Sequence, residues 1–303
     1  MSLFTHYTNH DGNFGIGKIP DDLKEYTSYV GSEFYSIIPP EKKQNMTYHK
    51  WYNDLPLQLK EHVNIIQKHP FWKQVCRTGD TCAIKNITGM DEIYYSKTPK
   101  GEKRGMLYGA AGNYDLHVDG VFRFPGIRFY RILIGLTKNN TTVETSFPRL
   151  KSSTYINKDD FIVFDFDRAQ HKVINHATES EDEYRILLKL HFCVCDKCTI
   201  DSSYFDFVCK MYVTYEEITR YIMQTGTNPA TWYQFFLGLL AWLATTFPLI
   251  TWMYISLLVL YFVCLLLRLP FAYVIGRLLL DSLLVFLVLV TLFWIRYKLF
   301  KQR

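Results

Sequence analysis

The chain has 303 residues, enough for one large domain or two modest ones. Its formal charge is +5, and the whole excess falls beyond residue 230, where Arg268, Arg277, Arg296, Lys298, Lys301 and Arg303 face one acid, Asp281. Residues 1–230 are therefore neutral, which excludes a nucleic-acid footprint and directs the basic balance at anionic lipid headgroups.

Residues 1–106 read as a support region. The first 60 show no sustained period, and Pro39-Pro40 followed by EKK marks a loop. Leu55 to Gln67 is predicted to be an amphipathic helix, with Leu57, Leu59, Val63, Ile65 and Ile66 on one face, Pro56 in its first turn and His69-Pro70 at its end. CAIKNITGM is a candidate strand. SKTPKGEKRG is a charged loop, solvated in the simpler reading; a functional reading makes it a lid over a site or a contact for an acidic substrate.

Residues 107–230 hold the strand-rich core. Ile127 to Leu136 is β-branched and aromatic, and Asp160 to Phe166 alternates. From Arg185 to Val194, Ile186, Leu188, Leu190, Phe192 and Val194 face one way, and Arg185, Leu187, Lys189, His191 and Cys193 the other. Short strands separated by polar turns predict an antiparallel sandwich or barrel, and polar residues on one face suit a ligand-holding interior. Val213 to Gln224 is predicted to be helical, with a capping box at Thr214 and Glu217.

Residues 231–303 read as a membrane anchor. No charge occurs from Trp232 to Leu267, whereas a spanning helix needs about 20 apolar residues. Pro248 and Pro270 divide the region into a predicted transmembrane hairpin, 248–267 and 272–295, preceded by a shorter embedded helix; three spans are the alternative. Arg277 and Asp281 share a helix face and can neutralise each other. The missing apolar leader and the basic C-terminus predict a cytosolic domain, while Asn-x-Thr sequons at Asn45, Asn86, Asn139 and Asn140 pull towards the lumen.

The seven cysteines are odd in number and irregular in spacing, which does not suggest a disulfide framework. Cys193, Cys195 and Cys198, with Cys209 beyond, offer a non-standard zinc set; reduced structural thiols are the simpler reading.

His117-Val-Asp119 carries the chemistry. On a strand, residues two apart share a face, so an imidazole and a carboxylate reach one metal ion. A histidine from a later strand completes a two-His, one-carboxylate triad with three open positions, the arrangement of Fe(II) oxygenases. His171 is the candidate, and an arginine on the next strand can grip a co-substrate carboxylate in bidentate fashion.

FDFDRAQHKVIN followed by YRILLKL resembles the distal half of aspartyl/asparaginyl β-hydroxylase domains, with their F-D-x-x-x-x-H-x-V before R-x-x-L. YGAAGNYDLHVDG, RILIGL and VETSF are similar to prolyl-4-hydroxylase-type dioxygenases, with their H-x-D and E-T-x-F. Both families belong to the Fe(II)/2-oxoglutarate dioxygenase superfamily, and the resemblance covers about residues 107–195. It implies a mostly β fold, a double-stranded β-helix (jelly roll) with flanking helices, here joined to C-terminal transmembrane helices. It implies that His117, Asp119 and His171 hold Fe(II), that Arg185 anchors 2-oxoglutarate, and that Arg131 assists. The acidic ESEDE insertion widens the interval between His171 and Arg185, and leaves Lys189 as an alternative anchor and His176 as an alternative ligand.

The function implied is a membrane-anchored hydroxylase acting on a protein side chain (Asp, Asn or Pro) or a lipid. The alternative is a catalytically inactive jelly-roll module that binds a partner at the bilayer. Convergence of His117, Asp119 and His171 on one point distinguishes the two.

Overall fold

The computed structural model describes residues 3–4, 12–43, 47–76, 82–97, 114–120, 123–137, 140, 143–176, 184–198, 202–227 and 231–235, with scattered positions between 257 and 281. Met1–Glu217 forms one compact unit and Ile218–Arg303 a second.

The first unit contains two antiparallel sheets. The larger contains β1 (Phe14–Lys18), β2 (Thr47–Trp51), β3 (Ala83–Asn86), β4 (Glu92–Lys97), β6 (Ile127–Gly135), β9 (Asp160–Asp165) and β11 (Tyr184–Cys195), in the order β1-β9-β6-β11-β4-β2. The smaller has the order β5-β10-β7-β8, from β5 (Tyr114–His117), β7 (Val143–Phe147), β8 (Ser152–Tyr155) and β10 (His171–Asn175). β11 pairs with β6 along one edge. Along the other it pairs with β4 near its start and with β3 near its end. β1 to β4 thus carry the N-terminal region into the same sheet as the strand-rich core.

Alternation sorts the side chains. Ile132 and Ile134 of β6, with Ile186, Leu188 and Leu190 of β11, pack on one side of the large sheet. Their partners are Val30 and Phe34 of α1 (Lys24–Ile37) and Leu59, Val63 and Ile66 of α3 (Leu57–Lys68). A four-residue helix, α2 (Pro40–Lys43), lies between them in the chain. Each such side chain contributes about 1.5–3 kcal/mol by leaving water. On the opposite side, Leu133, Ile162, Phe164 and Leu187 of the large sheet meet Phe147 of the small one in a single cluster. This sheet-on-sheet core is the jelly-roll-like arrangement expected.

Three expectations need correction. Leu57 and Ile65 of α3 are exposed, so its buried face is narrower than the apolar pattern implied. α4 begins at Ser203, ten residues earlier than expected, and runs to Thr227. Thr214 is therefore mid-helix, and its hydroxyl donates back to the Lys210 carbonyl at 3.2 Å instead of capping an N-terminus. The six cysteines among the described residues are neither free thiols nor zinc ligands: Cys76–Cys82, Cys193–Cys209 and Cys195–Cys198 are disulfides. Cys193–Cys209 fastens β11 to α4, whose Phe205, Val208 and Tyr212 pack against Ile127 and Phe129 of β6.

The expected hairpin, 248–267 and 272–295, lies outside the described residues except for isolated helical positions. Among the described residues no helix is long and apolar enough to cross a membrane. The charged loop and the acidic insertion also fall largely outside them.

Candidate metal centre

The small sheet sets two histidines face to face. β5 and β10 pair antiparallel with His117 opposite His171, and a register shift follows towards Val173. The two imidazole centroids are 4.5 Å apart. Asp119 lies just past the end of β5, where the Gly120 amide donates to the Phe166 carbonyl at 2.9 Å. A Cβ at Gly120 would come within 2.7 Å of the Phe166 ring, so the turn presenting Asp119 has no space for a larger residue there.

His117, Asp119 and His171 each offer a ligand atom, all within 4.8 Å of one another. His117 Nε2 is 3.4 Å from Asp119 Oδ1, and His171 Nε2 is 3.5 Å from Asp119 Oδ2. His171 is buried between Phe147 and Phe164, and its Nδ1 donates to the Ala169 carbonyl at 3.1 Å. That bond puts the proton on Nδ1 and leaves the Nε2 lone pair for a metal. Burial, only partly opposed by Asp119, pushes the His171 imidazolium down, which favours the neutral, ligating form. Burial alone would raise the Asp119 carboxyl; Arg131, then His171 and His117, outweigh it and hold the carboxyl far below the usual range. Two neutral-capable imidazoles and one ionised carboxylate on one face fit a divalent metal such as Fe(II). His176, the alternative ligand, is not in this group; its Nε2 bonds Glu144 Oε2 at 2.7 Å.

The arginines and lysine expected near the site lie on the interior side of the large sheet. Arg131 of β6 stands opposite His191 of β11. Its Nη1 donates to Asp119 Oδ2 at 2.6 Å and its Nε to His191 Nε2 at 2.9 Å. Arg185 is buried and donates from Nε to Ser96 Oγ at 3.0 Å. Lys189 stands across from Glu92 of β4, with Nζ 2.5 Å from its Oε1 and 4.6 Å over the Tyr94 ring. Glu92 also accepts from His49 Nδ1 at 3.0 Å. Lys189 thus already has a buried carboxylate partner, which a ligand carboxylate would have to displace.

His191, Asp91 and Gln67 were not singled out from sequence. His191 shares the strand face of Arg185 and Lys189, a signal that period two does carry. Nothing local marks Asp91 or Gln67.

The turn that delivers His171 contains a second titratable group. Asp165, at the end of β9, is fully buried; its Oδ2 accepts the Asn13 amide at 2.7 Å and Arg128 Nη1 at 3.3 Å. Its own carbonyl accepts the Ala169 amide at 2.9 Å. Burial pushes its carboxyl up to about 6, against Asn13 and Arg128. A carboxyl raised by folding contributes stability that is complete below its unfolded value of 3.8 and is lost as pH rises through about 6. Asp165→Asn is therefore expected to raise the unfolding free energy above pH 6, by up to about 3 kcal/mol, and to match the native chain below pH 4. Thermal melts across that range check it.

No protein-family model matches this sequence, and no curated protein does. Solved structures do. The viral collagen prolyl hydroxylase vCPH of Paramecium Bursaria Chlorella virus-1, in its 2OG complex, is 14% identical, with a TM-score of 0.38 over 59% of this chain and 94% of that one. A Pseudomonas putida prolyl-4-hydroxylase is 13% identical, with a TM-score of 0.32 over 61% and 92%. The non-heme alpha-ketoglutarate-dependent epimerase SnoN from nogalamycin biosynthesis is 10% identical, with a TM-score of 0.40 over 67% and 87%. Two of these structures are thus prolyl hydroxylases and the third an alpha-ketoglutarate-dependent epimerase.

Proposed function

We propose that the protein is an Fe(II)- and 2-oxoglutarate-dependent dioxygenase that hydroxylates a protein side chain or a lipid, held at a membrane by its C-terminal region. The observation that carries this reading is the convergence of His117, Asp119 and His171, with the His171 proton fixed on Nδ1. A bound Fe(II) would supply oxygen activation coupled to 2-oxoglutarate decarboxylation. The chain's own residues do the rest. His117, Asp119 and His171 would hold the metal through one atom each. Arg185 is the candidate grip for the far carboxylate of 2-oxoglutarate. Phe147 and Phe164 shield the His171 side from water.

The charge-free run from Trp232 to Leu267 supports membrane attachment, and the apolar setting makes lipid a reasonable substrate. The three disulfides favour an oxidising compartment over the cytosolic side expected from the termini. Purified full-length protein supplied with Fe(II), O₂ and 2-oxoglutarate is expected to release succinate, and a membrane extract to raise the yield. No metal binding and no succinate would leave the partner-binding module as the reading.

A further inference from the structure

We propose that Arg131 makes Asp119 a single-oxygen ligand, and that His191, Asp91 and Gln67 hold Arg131 in that task. The inference rests on the metal-centre reading and adds to it a group of positioning residues that do not touch the metal.

Arg131 Nη1 occupies Asp119 Oδ2 at 2.6 Å, while Asp119 Oδ1 faces His117 Nε2 at 3.4 Å. Each oxygen faces one ligand histidine, Oδ1 towards His117 and Oδ2 towards His171 Nε2 at 3.5 Å, but only Oδ2 also carries the guanidinium, so Oδ1 is the less encumbered donor. The distinction matters because a six-coordinate metal with three single-atom protein ligands has three positions left. A carboxylate binding through both oxygens would take one of them. A two-atom chelate such as 2-oxoglutarate, followed by O₂, needs all three.

Arg131 can impose this only if it cannot follow the carboxylate, and two contacts hold it, the first backed by further bonds. Its Nε donates to His191 Nε2 at 2.9 Å. Accepting there puts the His191 proton on Nδ1, which donates to Asp91 Oδ1 at 3.1 Å; the His191 amide reaches the same oxygen at 2.8 Å. Asp91 Oδ2 in turn accepts from Gln67 Nε2 of α3. The guanidinium lies 4.5 Å over the Phe166 ring. His191, Asp91 and Gln67 are at most 1% exposed, so water does not compete for these bonds. The chain Asp119–Arg131–His191–Asp91–Gln67 therefore ties the carboxylate to a helix on the far side of the large sheet.

The test uses the full-length protein loaded with Co(II), whose visible absorption reports coordination number, and equilibrium binding of 2-oxoglutarate to the loaded protein. Arg131→Met is expected to keep Co(II) but change the spectrum, and to weaken 2-oxoglutarate binding by about 10–100-fold, the range for losing an outer-shell partner. His191→Phe should act in the same direction. His191→Gln, whose Oε1 can accept from Arg131 Nε, should restore the native spectrum. Native behaviour in both Arg131→Met and His191→Phe, complete loss of Co(II) from Arg131→Met, or a His191→Gln protein as altered as His191→Phe would each overturn the proposal. Failure of the native protein itself to bind Co(II) would remove the metal-centre reading, and this inference with it.

Discussion

Replacing His117 or Asp119 by alanine is expected to eliminate Fe(II)-dependent succinate release, and the two variants should then differ in stability. Each removes one of three ligand atoms that lie within 4.8 Å of one another, and two donors do not hold the metal on one face. Their neighbours separate them. The His117 side chain is 38% exposed, so truncating it loses little packing. Asp119 is the carboxylate that pairs with Arg131, whose side chain is 12% exposed. Asp119→Ala leaves that guanidinium without its acid, at a cost of about 3–5 kcal/mol for a buried pair broken on one side. Metal titration with denaturant unfolding checks both halves. Unaltered metal affinity in both variants would end the metal-centre reading.

Lys189→Met is expected to be the most destabilising single change on β11, again by about 3–5 kcal/mol. Glu92 is buried, and burial alone would raise its carboxyl; Lys189 first, then His49, hold it well below the usual range. A depressed carboxyl gives stability that is present above its unfolded value of 4.5 and is lost as pH falls. Without Lys189 that stability is missing at neutral pH, so the variant should show a shallower acid transition. Adding Glu92→Gln removes the orphaned charge and should recover part of the loss, which a double-mutant cycle measures. Arg185→Gln is expected to behave differently: weaker 2-oxoglutarate binding with a much smaller loss of stability. A Lys189→Met protein as stable as the native chain, but unable to bind 2-oxoglutarate, would transfer the anchor role to Lys189.

Period two carried much of the fold. The strand expected over 127–136 occupies Ile127–Gly135, and that expected over 185–194 occupies Tyr184–Cys195. α1 was not legible because its buried face consists of Thr27, Val30, Gly31 and Phe34, only two of them large and apolar. The helix is nevertheless seated closely: a Cβ at Gly31 would fall 2.8 Å from the Leu136 carbonyl oxygen. His117 and Asp119 were legible because they are two residues apart, although Asp119 lies past the end of β5 and not on the strand as expected. The Asp91–His191 pair was not, because its partners are far apart in sequence and meet only through β11. The disulfides escaped for a related reason: Cys193–Cys209 joins a strand to a helix, which no repeat of spacing announces.

The long span of those pairings also bears on how the protein reaches its working state. Asp91 and His191 are separated by 100 residues, and Asn13 and Asp165 by 152. Closing such loops costs chain entropy before any contact repays it, so this topology has high contact order and folds slowly. The large sheet must be registered before His191 can meet Arg131, and the second sheet must dock before Arg131 can meet Asp119. The complete Asp119–Arg131–His191 connection is therefore a property of the finished domain.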